Sequence, residues 1–156
     1  MLFMHLDTID LKILGMLQAD ARISNVDLAE AVGLSPSPCL RRVRRLEQEG
    51  IISRYVTLLE PSSVGLTVNV FVQVSLERQI GDYLERFETA IRQWPEVMEG
   101  YLMSGTADYH LRVVVSDLAA YERFLQEKLT RVPGVSSIKS SFALKRVNYR
   151  TELPLS

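Results

Sequence analysis

The 156-residue sequence predicts an α+β chain: three short helices over the first sixty residues, then strands and helices in the order β-α-β-β-α-β. Three observations predict it. Apolar residues recur at helical spacing through residues 6–48, with capping residues and a glycine at the breaks. TVNVFVQVSLE (67–77) alternates apolar and polar residues, as a half-buried strand does. The tripeptide ERF occurs at 85–87 and 122–124, and each copy leads to a proline tetrapeptide, WPEV (94–97) or VPGV (132–135). Two βαβ halves would produce this echo.

Composition sets the limits. Hydrophobic residues make up 47% of the chain, enough for a packed core without staples. Cys39 is the only cysteine, and His5 and His110 lie far apart. An internal disulfide is therefore excluded, and neither a metal site nor another cofactor is expected. No apolar run approaches the ~18 residues of a membrane span. The start, MLFMHLDTID, lacks a basic n-region followed by an apolar stretch. The expectation is a soluble, cytoplasmic protein without membrane partners. The net charge is −1, from 18 Lys and Arg against 19 Asp and Glu. Residues 1–60 hold seven basic and eight acidic residues. An argument for an anionic partner must therefore rest on where the charges sit.

LDTIDLKILGMLQAD (6–20) reads as the first helix, with Asp7 as N-cap and Leu6 and Leu11 as a hydrophobic staple. ISNVDLAEAVG (23–33) repeats the grammar: Ser24 caps, Ile23 and Leu28 staple, and Gly33 suits a left-handed end. After a short turn Ser35 is the expected cap of a third helix, with Pro36 at its first position and Pro38 still in its first turn.

On a wheel at about 100° per residue, Cys39, Leu40, Val43 and Leu46 of the third helix form an inward stripe. Ser37, Arg41 and Arg45 line up at i, i+4 and i+8 on the outer side, flanked by Arg42 and Arg44. A capped helix pair whose second member is charged outward is a helix-turn-helix suited to a DNA groove. Arginine's planar fork can bridge guanine O6 and N7 or clamp a phosphate. Ser37, Arg41 and Arg45 are the expected base readers, and Arg42, Arg44 and Arg54 the phosphate contacts. Ser35 and Ser37 hydroxyls and unpaired helix N–H groups would favour a phosphate. The plainer alternative is a solvated face with local pairs, Arg45 to Glu49 and Arg44 to Gln48.

IISRYVTLLE (51–60) reads as a strand leaving the helices, and Pro61-Ser62-Ser63 with Gly65 breaks the pattern. The expected division is residues 1–60 as the helix-turn-helix domain with its exit strand, 61–66 as linker, and 67–156 as a second domain with a C-terminal tail. Beyond the strand at 67–77 come a helix, GDYLERFETAIRQW, and two strands, VMEGYLMS and DYHLRVVVS, joined by Gly105-Thr106-Ala107. A helix, DLAAYERFLQEKLTRV, and a strand, VSSIKSSFALKRV, complete the ferredoxin-like order. The last strand alternates through Ile138, Phe142 and Leu144. No catalytic grouping appears, so an enzyme is not expected, and no paired-aromatic signature marks the sheet for RNA. Dimerisation and small-molecule binding remain. Gly105 can free N–H groups for a carboxylate and Asp108 can take an ammonium. An ordinary hairpin with Asp108 closing a turn is the alternative.

LSPSPCLRRVRRLEQEGII, SGTADYHLRV and VPGV, in this order, resemble the Lrp/AsnC (feast/famine) transcription regulators over residues 6–153, and the leucine-responsive branch more than the asparagine-responsive one. The resemblance implies a winged helix-turn-helix on double-stranded DNA. It also implies a domain that dimerises, assembles to tetramers or octamers, and binds an amino-acid effector. The effector residues it implies are Ser104, Gly105, Thr106, Ala107, Asp108 and Tyr109, with Leu102, Leu118, Ser140 and Ser141 around them. Relatives often carry an acid directly after the loop glycine, where this chain has Thr106. The implied function is sequence-specific regulation of amino-acid metabolism genes. The rival is an oligomeric amino-acid sensor whose helical domain contacts proteins.

Overall fold

The computed structural model describes residues 6–155, so His5 lies outside the described residues. Helices α1 (Thr8–Ala19), α2 (Asn25–Val32) and α3 (Pro36–Gln48) come first. Then follow β1 (Val68–Leu76), α4 (Gly81–Arg92), β2 (Val97–Leu102), β3 (Tyr109–Val115), α5 (Leu118–Glu127) and β4 (Val135–Phe142). The chain divides into two compact units, one running to Leu58 and taking in the segment from Val147, the other covering Leu59–Arg146.

In the helical unit, Asp7 closes a reciprocal capping box with Asp10, Ser24 caps α2, and Gly33 ends it in left-handed backbone at φ 74°. Ile13, Leu28, Ala29, Cys39 and Leu46 form the core. Three sequence expectations need correction. Ser35 stands at the N-cap position of α3, but its side chain makes no cap hydrogen bond. A cap side chain accepts from the second or third helical N–H, and the third position is Pro38, which has none. Leu40 is 36% exposed and stands outside the core.

Residues 51–60, thirdly, form no strand. Their β-branched and aromatic residues suit one, yet no strand among the described residues pairs with them. They leave Tyr55 about half exposed and Val56, Leu58 and Leu59 more than half exposed. The C-terminal tail also departs from the expected division, because it clusters with the helices. Leu153 donates to Gln18 Oε1 at 2.6 Å and accepts from Gln18 Nε2 at 3.1 Å. Leu153 and Leu155 line an apolar groove with Leu14, Leu17, Ile52 and Leu58, which accounts for the attachment.

The second unit is one antiparallel sheet in the order β2-β3-β1-β4, the ferredoxin-like arrangement. Val70, Val72, Val74 and Leu76 of β1 are buried with Leu111 and Val113 of β3 under Phe87 of α4 and Phe124 of α5. The two ERF copies thus place equivalent phenylalanines in one core. On the opposite face Phe71 stands 50% exposed, paired in register with Arg112 on one side and Ser141 on the other. The last strand ends at Phe142, and Leu144 is 99% exposed rather than inward.

Gly134 has φ 91°, and a Cβ there would lie 2.1 Å from Tyr83 Cδ1. The VPGV turn therefore needs glycine for both backbone and space.

Candidate functional site

Helix α3 is held from behind by Cys39 and Leu46, both fully buried, and from below by Asn25, whose Nδ2 donates to the Pro36 carbonyl at 2.8 Å. Burial pushes the Cys39 thiol above its usual range, with Arg42 nearby opposing the shift. The thiol is therefore a packing group. Ser35, Ser37, Arg41, Arg44 and Arg45 are exposed, Arg45 with 44% of its side chain open, and Arg42 is intermediate. Arg54 is exposed too, in the irregular segment after the helix. Pro36 and Pro38 remove two of the first three helical N–H groups, leaving the Ser37 amide as the donor there. The expected phosphate cradle at this end is correspondingly thinner.

The arginine run divides in two. Arg42 Nη1 reaches Asp7 Oδ2 at 2.6 Å and Asp10 Oδ1 at 2.9 Å. Arg45 Nη2 reaches Asp10 Oδ2 at 2.6 Å, and its Nε lies 3.6 Å from Glu49. Asp10 is 1% exposed. The Asp10 amide and the Arg42 guanidinium together hold the Asp7 carboxyl below the usual carboxylate range. Arg42 is raised in turn, first by Asp7 and then by Asp10. Arg42 and Arg45, read from the sequence as phosphate and base contacts, thus face α1 in ion pairs. The i, i+3 spacing of Asp7 and Asp10 matches that of Arg42 and Arg45, and this was the signal available for the pairing. The outward stripe is Ser37, Arg41, Arg44 and Gln48, rotated slightly from the expected one. The Glu49 partner named by the plainer alternative is present as well.

The hairpin joining β2 to β3 contains the other candidates. Ser104, Gly105 and Thr106 are exposed, while Ala107, Asp108 and Tyr109 are buried. Gly105 has φ 138°, a conformation L side chains rarely adopt. Asp108 Oδ2 accepts from the Leu76 amide at 2.7 Å, and Oδ1 accepts from Gln79 Nε2 at 2.5 Å. Its own amide donates to the Val74 carbonyl. The carboxylate is thus engaged in tying the end of the hairpin to β1 and Gln79, far back along the chain. The Tyr109 hydroxyl donates to Glu88 Oε1 at 3.0 Å, and its pKa is raised, mainly by burial and then by Glu88. Gln79 and Glu88 were not singled out from the sequence, because each acts only through a contact distant along the chain.

Leu102 and Leu118 are both largely exposed, yet they lie at opposite ends of β3, which spans about 20 Å at 3.4 Å per residue. Ser140 and Ser141 sit on β4, separated from β3 by β1. The sequence reading had them beside the loop. Ser140 Oγ is 2.6 Å from the Tyr121 hydroxyl, and Ser141 lies beside Phe71. A single chain therefore brings together 102–109 and leaves Leu118, Ser140 and Ser141 elsewhere. Among the described residues no group of three or more His, Cys, Asp or Glu could hold a metal ion, and no helix is long and apolar enough to cross a membrane.

Comparison with known proteins fits both halves of this geometry. Residues 6–53 match the winged helix-turn-helix DNA-binding family, and residues 69–153 match the Lrp/AsnC ligand binding domain. The chain belongs to the Lrp/AsnC family. It is 56% identical to the Bkd operon transcriptional regulator of Pseudomonas aeruginosa over 97% of this chain and 99% of that one. It is 45% identical to the leucine-responsive regulatory protein of Escherichia coli over 95% and 90%. A Neisseria meningitidis transcriptional regulator solved with L-Met superimposes with a TM-score of 0.92 at 43% identity, covering 97% of each chain. This Lrp/AsnC member is thus a DNA-binding transcriptional regulator with an amino-acid-binding type of second domain.

Proposed function

We propose that the protein acts as a cytoplasmic homodimer that presents two copies of α3 to successive major grooves, about 34 Å apart, and regulates amino-acid metabolism genes. The observation that carries this reading is the stripe Ser37, Arg41, Arg44 on a helix anchored by fully buried Cys39 and Leu46. Ser37 and Arg41 read base edges, Arg44 and Arg54 hold phosphates, and Ser35 lies close to the backbone. The acids that make the chain slightly negative include Asp7 and Asp10, which face α3 from behind. They leave the outward stripe basic.

The open sheet face supports a second copy as partner. Phe71 is half exposed there, and the neighbouring Asn69 Oδ1 is buried without a hydrogen-bond partner. A small amino acid is the proposed effector, bound near 102–109. The candidates that one chain leaves apart (Leu118, Ser140 and Ser141) reach the site only from another copy, so binding and assembly are coupled. The leucine-responsive relative and the L-Met complex support an apolar amino acid. Tetramers or octamers engage several DNA sites at once. The chemistry is binding alone, with no catalysis.

The test is a gel shift with duplex DNA from upstream of the protein's own gene. With about four phosphates neutralised per dimer, by Arg44 and Arg54 of each copy, log K falls with log salt at a slope of about −3.6. A flat response would favour the sensor that contacts proteins. Thermal shift against the twenty amino acids, read with light scattering, tests the effector. No stabilisation by any of them would remove it.

A further inference from the structure

Four arginines in five positions look like one cationic surface, but the structure gives them two fates. Every oxygen of the Asp7 and Asp10 carboxylates is occupied. Asp10 Oδ1 takes Arg42, and Asp10 Oδ2 takes Arg45 together with the Asp7 amide. Asp7 Oδ2 takes Arg42, and Asp7 Oδ1 takes the Asp10 amide. Two carboxylates face two guanidiniums, and the buried member is the acid. Arg41 and Arg44 have no such partner among the ion pairs of the described residues.

We infer that Asp7 and Asp10 form a clasp that withdraws Arg42 and Arg45 from DNA, aims α3, and sets specificity by limiting sequence-independent attraction. This rests on the DNA-binding reading above and concerns which of its arginines take part. A phosphate that captured Arg42 would strip Asp7 of its ion pair and take one of two from Asp10. One that captured Arg45 would leave the buried Asp10 with Arg42 alone, so both captures are opposed. Of the four α3 arginines, Arg41 and Arg44 are therefore the ones left for DNA. Non-specific binding comes almost wholly from released counterions, about 0.9 in salt slope for each phosphate neutralised. Specificity is the ratio of operator to non-specific affinity. Neutralising two arginines per copy lowers the denominator, while Ser37, Arg41 and Arg44 keep their reach to the groove. The same bonds tie α3 to α1, so the reading helix keeps a fixed direction. Asp7 and Asp10 are thus positioning residues.

The test uses the full-length protein and a mixed-sequence duplex, with affinity measured by fluorescence anisotropy over a series of KCl concentrations. Arg41→Gln and Arg44→Gln should each flatten the slope by about 0.9 per bound copy. Arg45→Gln should leave it unchanged. Asp7→Asn should steepen it by about one per copy and raise low-salt affinity roughly three- to tenfold. Asn remains a good N-cap and Asp7 is half exposed, so this variant keeps the test sound where Asp10→Asn fails to fold. A purely structural role for the clasp would move the melting temperature and leave the salt slope alone. If Arg45→Gln flattens the slope as much as Arg41→Gln, or Asp7→Asn leaves it unmoved, the clasp is overturned and DNA binding stands. If the wild type binds no duplex in a salt-dependent way, the DNA reading falls and the clasp with it.

Discussion

The outward stripe of α3 and the hairpin at 102–109 are two candidate sites built in opposite ways. Ser37, Arg41 and Arg44 ride on a single helix, so helical geometry alone sets their mutual placement, and one chain completes the stripe. The hairpin holds part of its implied set, while Leu118 lies about 20 Å away along β3 and Ser140 and Ser141 lie beyond β1. A site on one element is decided by local spacing. A site spread over a sheet is decided by what the sheet meets.

The largest expected effect falls on the first site. Arg41→Gln with Arg44→Gln should weaken binding to upstream duplex DNA at least tenfold, since a good bidentate contact is worth about 1–3 kcal/mol. Amino-acid binding, measured by thermal shift, should be unchanged. Loss of both together would break the contrast, because it would tie the hairpin to α3. The next effect falls on the sheet unit. Gly134→Ala should lower its stability by about 2 kcal/mol or more, from left-handed strain of about 1–2 kcal/mol and the Tyr83 overlap. Denaturant unfolding checks this. Asp108→Ala should follow at about 1–3 kcal/mol, because it strands the buried Leu76 amide. If Asp108→Asn abolished amino-acid binding without lowering stability, the carboxylate would be the ammonium acceptor after all, and the turn role secondary.

The helices, caps and sheet order were legible because period and capping residues are local, and the ERF echo marked two equivalent helices whose Phe87 and Phe124 share one core. The arginine partners were less legible: Asp10 and Arg45 are 35 residues apart, and only their matching i, i+3 spacing hinted at a pair. Ser35 misled because the cap rule concerns a donor that Pro38 lacks. Residues 51–60 misled because β-branched and aromatic residues show a readiness to pair, and pairing needs a neighbour. The tail misled because two hydrogen bonds between Gln18 and the Leu153 backbone decide its place, and a single glutamine carries no pattern.

Acid titration compares the two units more gently. Asp7 in the helical unit and Asp117 in the sheet unit both have lowered pKa values, held first by the amides of Asp10 and Ala120 respectively. A depressed folded value gives stability that is present above the unfolded carboxylate pKa of about 3.9. It is lost as pH falls through the folded value. Asp7→Asn should therefore flatten the acid limb of the helical unit's melting profile, and Asp117→Asn that of the sheet unit. A change in both limbs from one substitution would show that the units unfold together.

The smallest effect is spectroscopic. Tyr55 donates to Glu47 at 2.8 Å, and its phenol is pushed up to about 12, by burial first and Glu47 second. Tyr109 is raised by the same two causes, with Glu88 as the acid. A raised phenol adds stability below its unfolded pKa of about 10 and loses it as pH climbs through the folded value. Tyr55→Phe should cost at most about 1 kcal/mol and remove one late-titrating tyrosinate from the absorbance curve. Tyr109→Phe should remove a later one. If the Tyr55 variant left the curve unchanged, the exit segment would not be bound to the end of α3 in solution, and the reading helix would rest on its core and its clasp alone.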